Sequence, residues 1–238
     1  MEIIAHRGYS AKYPELTELA FARALELPIH GVECDVRLSR GGDMVVLHDP
    51  IIDRVADGRG RVSRMTLSDL REHNFGTEEH PQNVLTLHEL LDMIAPTDKH
   101  LYIETKHPSR FGPMVEEQVV RTLQHAGMLD DPRIHVITFS AAAVVRMKRL
   151  APQVDRFHLR RKYERWANPI DAHPGKPTGL GLSLQRARRR PDLIGKHGLP
   201  TYMWTVNEPA DMLWARDNGV DLMATDEVSL ALEVLGSS

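Results

Sequence analysis

Residues Gly31 to Asp49 read GVECDVRLSRGGDMVVLHD. Two apolar, β-branched runs, Val32 to Leu38 and Met44 to Leu47, flank the turn-forming cluster Ser39-Arg40-Gly41-Gly42-Asp43, which is the pattern of a β-hairpin. Folded symmetrically about Gly41 and Gly42, the strands pair residues whose numbers sum to 83, setting Asp35 opposite His48 and Glu33 opposite Pro50. Side chains alternate along a strand, so Glu33 and Asp35 point to one side and Val32, Cys34 and Val36 to the other. Two carboxylates on one face beside an imidazole are costly unless they have a task.

Outward from the hairpin, short apolar runs recur at Ile3–Ala5, Val32–Val36, Leu101–Ile103, Ile134–Phe139, Arg156–Leu159, Leu180–Leu184, Thr201–Val206 and Val220–Ala224. Helix-like stretches lie between them at Glu15–Leu27, Pro113–Gly127, Ala141–Leu150, Pro191–His197, Pro209–Asn218 and Glu227–Leu235. Such alternation implies a parallel sheet covered by helices, and eight repeats in 238 residues suit an α/β fold closed as a (β/α)8 TIM barrel better than an open doubly wound sheet. The hairpin extends the second barrel strand above the rim. Residues 50–100 form a small insertion between strands two and three, with capping patterns at Thr66-Leu67-Ser68-Asp69 and Thr86-Leu87-His88-Glu89. No repeat or linker divides the chain, so residues 1–238 are expected to be a single domain.

A net charge of −3 argues against nucleic acid as a general partner. Cys34 is the sole cysteine and cannot form an internal disulfide. There is no signal-peptide pattern and no apolar run of about 18 residues, so a cytoplasmic protein without stable membrane insertion is expected.

In a barrel the C-terminal strand ends share the functional face. Those ends carry His6-Arg7-Gly8, Glu33-Cys34-Asp35, His48-Asp49 and Glu104-Thr105-Lys106. Glu33, Asp35 and Glu104 supply hard oxygen donors with no cysteine, which favours Mg2+ or Ca2+ over zinc. His6 and His48 differ from the rest of the thirteen histidines in sitting at strand ends beside these acids, where one can act as base and the other as acid. Arg7 and Lys106 add fixed positive charge suited to phosphate. Together these residues point to metal-assisted chemistry on a phosphate ester.

The ordered motifs His6-Arg7-Gly8, Pro14-Glu15-x-Thr17, Gly31-Val32-Glu33-x-Asp35, Val45-Val46-x-His48-Asp49, Glu104-x-Lys106, Trp204-Thr205-Val206-Asn207 and Gly219-Val220-Asp221 leading to Thr225-Asp226 resemble the glycerophosphodiester phosphodiesterase family. The resemblance implies a phospholipase-C-like phosphodiesterase barrel that cleaves glycerophosphodiesters to glycerol 3-phosphate and an alcohol. It also implies a divalent ion on Glu33, Asp35 and Glu104, His6 and His48 as the acid–base pair, and attack on phosphorus by the glycerol 2-hydroxyl before water opens a cyclic phosphate. Arg7 and Lys106 then stabilise the phosphorane, Glu15 lies next to the metal or substrate, and Trp204 closes the glycerol pocket unless it is simply a core aromatic. Leu16 departs from the family's asparagine, and Arg54-Val55-Ala56 from its Arg-Thr-Thr. A lysophospholipase-D-like hydrolase and a catalytically silent phosphate-binding regulatory barrel are the alternatives. Arg160, Arg161, Lys162, Arg165, Arg186, Arg188, Arg189 and Arg190 fall on loops after strands five and six, where they form either a solvated surface or a basic rim that meets an anionic alcohol or lipid surface.

Overall fold

A computed structural model of the chain describes residues 1–161 and 174–236. Among them are nine strands, β1 (Glu2–His6), β2 (Gly31–Leu38), β3 (Met44–Val46), β4 (His100–Thr105), β5 (Ile134–Thr138), β6 (Asp155–Arg160), β7 (Gly179–Ser183), β8 (Thr201–Trp204) and β9 (Leu222–Thr225). Eight run parallel, and β1 pairs with β2 on one side and β9 on the other, so the sheet closes on itself as the expected (β/α)8 barrel. Helices α1 (Glu18–Leu25), α2 (Leu67–Leu70), α3 (Leu87–Ile94), α4 (Met114–His125), α5 (Ala141–Leu150), α6 (Leu184–Arg189), α7 (Pro209–Asp217) and α8 (Val228–Gly236) occupy the connections. No helix among the described residues is long and apolar enough to cross a membrane.

Alternation along the strands divides the core in two. Outward side chains such as Val32, Cys34, Val36, Leu101 and Ile103 pack with Phe21, Leu87, Leu91 and Leu123 from the helices. Inward side chains, including Ile4, Tyr102, Ile137, Phe157 and Tyr202, fill the barrel itself. Gly179 is required there, because a Cβ at this position would lie 2.1 Å from the Phe157 ring. The barrel is therefore a packed plug on which polar groups at the C-terminal strand ends are seated.

The hairpin register differs from expectation by one residue. Val36 pairs with Val46, Arg37 with Val45 and Leu38 with Met44, sums of 82 rather than 83. The cause is the turn, whose loop is the three residues Arg40-Gly41-Gly42: Gly42 N–H donates to Ser39 O at 3.2 Å, and Gly42 takes φ +91°. Leu47, not His48, consequently stands opposite Asp35, with Leu47 N–H donating to Asp35 O at 2.9 Å. His48 lies beyond the end of β3, where Pro50 makes no ladder pair with Glu33.

The insertion adds its own apolar cluster of Ile52, Val62, Leu70, Phe75 and Val84, which packs on Val45 and Leu47 of the hairpin. Thr66 and Thr86 form the expected capping boxes with Asp69 and Glu89. The helix expected over Pro191–His197 is absent, replaced by single 3-10 turns at Pro191–Leu193 and Lys196–Gly198. Gly195 and His197 have φ near +60° and cannot continue a helix. The helix forms earlier instead, as α6, where Ser183 caps Arg186 N–H and Leu184 and Ala187, one turn apart, are buried.

Candidate active site

Two strand registers assemble the carboxylates. His6 of β1 lies beside Glu33 of β2, and Asp35 of β2 lies beside Glu104 of β4. Glu33 and Asp35 are 1% exposed and Glu104 7%. One oxygen from each lies within 4.8 Å of the other two. Lys106 Nζ approaches Asp35 Oδ1 at 2.6 Å and Glu104 Oε1 at 2.5 Å, while Arg7 Nε is 3.3 Å from Asp35 Oδ2. The Arg7 backbone N–H donates to Glu33 Oε2 at 3.1 Å.

Three carboxylates thus face two cationic side chains. Burial, then the charge of Asp35, pushes the Glu33 carboxyl up to about 8. Burial acts the same way on Asp35, but Lys106 and Arg7 overcome it and hold that carboxyl below its usual range. The two Asp35 oxygens are buried without hydrogen-bond geometry to any partner, so their contacts to Lys106 and Arg7 are ion pairs only. Hard oxygens, a negative charge in excess of Lys106 and Arg7 once Glu33 ionises, and unsatisfied lone pairs on Asp35 fit a divalent cation of the Mg2+ or Ca2+ kind.

The two imidazoles are held in the same manner. His6 Nδ1 lies 2.7 Å from Asp226 Oδ1, and His48 Nδ1 lies 2.8 Å from Asp49 Oδ1. A carboxylate only accepts, so each Nδ1 carries the hydrogen and each Nε2 is left for other work. Asp226 is fixed by Asn207 Nδ2 (2.8 Å) and Ser10 Oγ (3.0 Å), and these bonds with His6 overcome burial to bring it down to about 2. Burial lowers the basicity of both histidines. At His6 the Asp226 hydrogen bond and the Glu33 charge outweigh it and the pKa rises, whereas at His48 Lys106 and Arg7 reinforce it against Asp35 and the pKa falls.

Residues 6–230 match the profile of the Glycerophosphoryl diester phosphodiesterase family. The chain belongs to this family. It is 36% identical to probable glycerophosphodiester phosphodiesterase 1 of Mycobacterium tuberculosis, over 94% of this chain and 88% of that protein. It is 29% identical to the glycerophosphodiester phosphodiesterase of Caldanaerobacter subterraneus, over 94% and 93%. Its fold is that of an Oleispira antarctica phosphodiesterase solved with the product sn-glycerol-3-phosphate, at a TM-score of 0.88, 24% identity and coverage of 99% and 97%. The chain is accordingly a glycerophosphodiester phosphodiesterase by family, a phosphoric diester hydrolase.

Other residues expected at the site fall around this centre. Glu15 touches no acid of the cluster; its carboxylate is clamped by Arg7 (3.0 Å) and by both amino groups of Arg54 (2.8 Å each). Trp204 ends β8, half-buried, its ring 5.4 Å from that of Phe139, and packs on the top of the inner cluster. Asp49, Asp226 and Asn207 appear in the sequence motifs but become candidate site residues only through the distances above. Arg54 is legible only as the retained arginine of a stretch that departs from the family at Val55 and Ala56, yet its Nε donates to Asp49 at 2.6 Å and so links Glu15 to the His48 support.

The eight-cation rim takes a different form. Arg186, Arg188 and Arg189 lie on α6, not on a loop. Arg188 pairs with Asp211 and Arg190 with Asp192, so local acids neutralise them. Arg161 stacks on Phe139, 4.1 Å from the ring centroid. Lys162 and Arg165 lie outside the described residues.

Backbone conformation anchors the motif around His6. Gly8 has φ +76°, and a Cβ there would lie 2.9 Å from the Ala20 carbonyl carbon. Gly8→Ala is expected to cost at least about 1–2 kcal/mol in backbone strain alone, lowering Tm by roughly 4–8 °C once the overlap is added; calorimetry checks it. Leu16, at the family's asparagine position, also has φ +60° and is offset by burial of its side chain in the outer core.

Proposed function

We propose that the chain hydrolyses glycerophosphodiesters to glycerol 3-phosphate and an alcohol, as a cytoplasmic enzyme dependent on one divalent cation. The observation that carries this reading is the pair of Nδ1-anchored imidazoles flanking three buried carboxylates. Glu33, Asp35 and Glu104 hold the cation, Mg2+ or Ca2+, which when bound supplies Lewis-acid polarisation of a phosphoryl oxygen. His48, the less basic imidazole, takes the proton from the attacking glycerol 2-hydroxyl, and His6, the more basic one, protonates the departing alkoxide. Water then opens the cyclic phosphate with the two roles exchanged. Arg7 and Lys106 stabilise charge on the phosphoryl oxygens. Glu15 aims the Arg7 guanidinium, and Trp204 closes the glycerol side of the mouth.

The product held by the Oleispira neighbour supports the assignment of glycerol 3-phosphate. A polar alcohol is favoured over an acyl chain, because the clefts beside His6 and Lys106 are bordered by Ser10, Glu15 and Asn207 on one side and Arg37, Ser63 and Ser109 on the other. A silent phosphate-binding barrel does not suit a chain that retains both histidines and all three acids. Residues 1–238 are proposed to be one domain with residues 50–100 inserted, since the insertion's apolar cluster is completed by hairpin residues Val45 and Leu47.

The test is alcohol release from glycerophosphoglycerol and glycerophosphocholine with excess chelator, then with Mg2+ or Ca2+ restored. Loss of at least about 10²-fold in chelator, recovered by one ion, is expected from removal of a Lewis acid worth several kcal/mol. Full turnover in chelator sinks the metal assignment.

A further inference from the structure

Beside the carboxylate cluster, a cleft of about 70 Å³ opens between the hairpin, the insertion and the loop after β4. That is several times what one water needs, and enough for a tetrahedral oxyanion. Arg37, Arg61, Lys106 and Arg110 line it together with Ser63 and Ser109, and no carboxylate is part of the lining. Arg37 follows Glu33 and Asp35 on the same face of β2, about 7 Å further out than Asp35. Its Nε and one amino group donate to His48 O at 2.8 and 2.6 Å, which fixes the guanidinium above the mouth. Arg110 reaches the Ser63 carbonyl at 3.4 Å. Arg61 is exposed and has no acidic partner among the described residues.

The bland alternative is a solvated basic surface. It does not account for the arrangement, because two of the four cations are not solvated: Lys106 is buried, and Arg37 is only partly exposed and is held at the mouth by the His48 carbonyl. Lys106 is paired with Asp35 and Glu104, but Arg61 and Arg110 have no acidic partner among the described residues, so an anion entering the cleft meets two charges that no carboxylate of the protein neutralises. Lys106 belongs to both this cleft and the catalytic cluster, so an occupant sits next to the reacting phosphorus. We propose that this cleft is a subsite for a second anionic group, a phosphomonoester on the departing alcohol. It rests on the diesterase reading above and sharpens it: the preferred substrates are diesters whose alcohol itself bears a phosphate.

Two matched probes test the subsite, glycerophosphoglycerol and the same diester phosphorylated on the terminal hydroxyl of the leaving glycerol. The variants are Arg61→Gln, Arg110→Gln and the double variant; Arg37 is left intact because it also holds the His48 carbonyl. Wild type is expected to show a KM about tenfold or more lower for the phosphorylated probe, the size of one or two charged hydrogen bonds, and the advantage shrinks in high salt. In the double variant the advantage falls to within about threefold, while kcat on the unphosphorylated probe is unchanged. Equal KM values in wild type, or an advantage that survives the double substitution, overturn the subsite alone. No turnover of either probe overturns the diesterase reading, and the subsite with it.

Discussion

His6→Ala and His48→Ala are each expected to lower kcat by about 10²–10⁴-fold, the range for loss of a positioned general acid or base. The pH profile then separates the two roles. His48 must be neutral to accept a proton, and burial, Lys106 and Arg7 hold its pKa below 6.5, so the acid limb of kcat/KM lies below that value. His6 must be protonated to donate, and Asp226 with Glu33 keeps its pKa above 6.5 in spite of burial, so the alkaline limb lies above it. Asp226→Asn supplies the sharper discrimination. It retains the shape of the side chain but removes the charge, so the alkaline limb moves to lower pH and kcat falls about 10–100-fold, the usual cost of losing the carboxylate behind a functional histidine. Asp49→Asn leaves the alkaline limb in place and shifts only the acid limb downward, since Asp49 raises His48 alone. Identical profiles for the two asparagine variants would remove the division of roles.

The barrel was readable from the chain because each of its strands is a short apolar run bounded by a helix, a pattern set by burial on both faces. The clustering of the candidate residues was legible because His6, Glu33, Asp35 and Glu104 lie toward the C-terminal ends of barrel strands, which closure brings to one face, whereas His48 reaches them from beyond β3 through the hairpin. What failed was finer. The hairpin slipped by one residue because Gly42, with positive φ, favours a three-residue loop, a choice between two glycine-bearing turns that hydrophobic alternation cannot make. Residues Arg186 to Arg190 looked like loop because charge outweighs everything else in that stretch, yet Leu184 and Ala187 one turn apart were enough to make a helix. The cationic cleft is not legible in the sequence, since Arg37, Arg61 and Arg110 are far apart along the chain and meet only when the insertion folds over the hairpin.

Between pH 7 and 8 the protein in chelator is expected to lose stability as pH rises, and a divalent cation is expected to abolish the loss. The sign follows from proton counting. Glu33 in the folded chain keeps its proton up to about 8, whereas the unfolded chain releases it near 4.5. Across that interval the native state binds the extra proton, so stability falls with pH, by up to about 1.4 kcal/mol per pH unit where the difference is complete. His6, also raised, contributes in the same direction above 6.5. An opposing slope comes from the far end of the barrel, where His100 is held down to about 4 by burial and by His30 and His135. There the unfolded chain binds the extra proton between 4 and 6.5, so stability rises with pH over that range and partly cancels the Glu33 effect. Above 6.5 that cancellation ends. The informative comparison is therefore Tm at pH 7 and pH 8, in chelator and in Mg2+ or Ca2+. A fall of roughly 2–4 °C per kcal/mol is expected in chelator for a chain of this size. A cation bound by ionised Glu33, Asp35 and Glu104 replaces the proton and gains affinity with pH, so the added stability is larger at pH 8 than at pH 7. Glu33→Gln separates this cause from the rest: in chelator it removes the carboxyl that resists ionisation, flattening the slope and raising Tm at pH 8, while the stabilisation by the cation is lost. A slope unchanged in Glu33→Gln would show that the three-carboxylate cluster is not where the charge is being resisted.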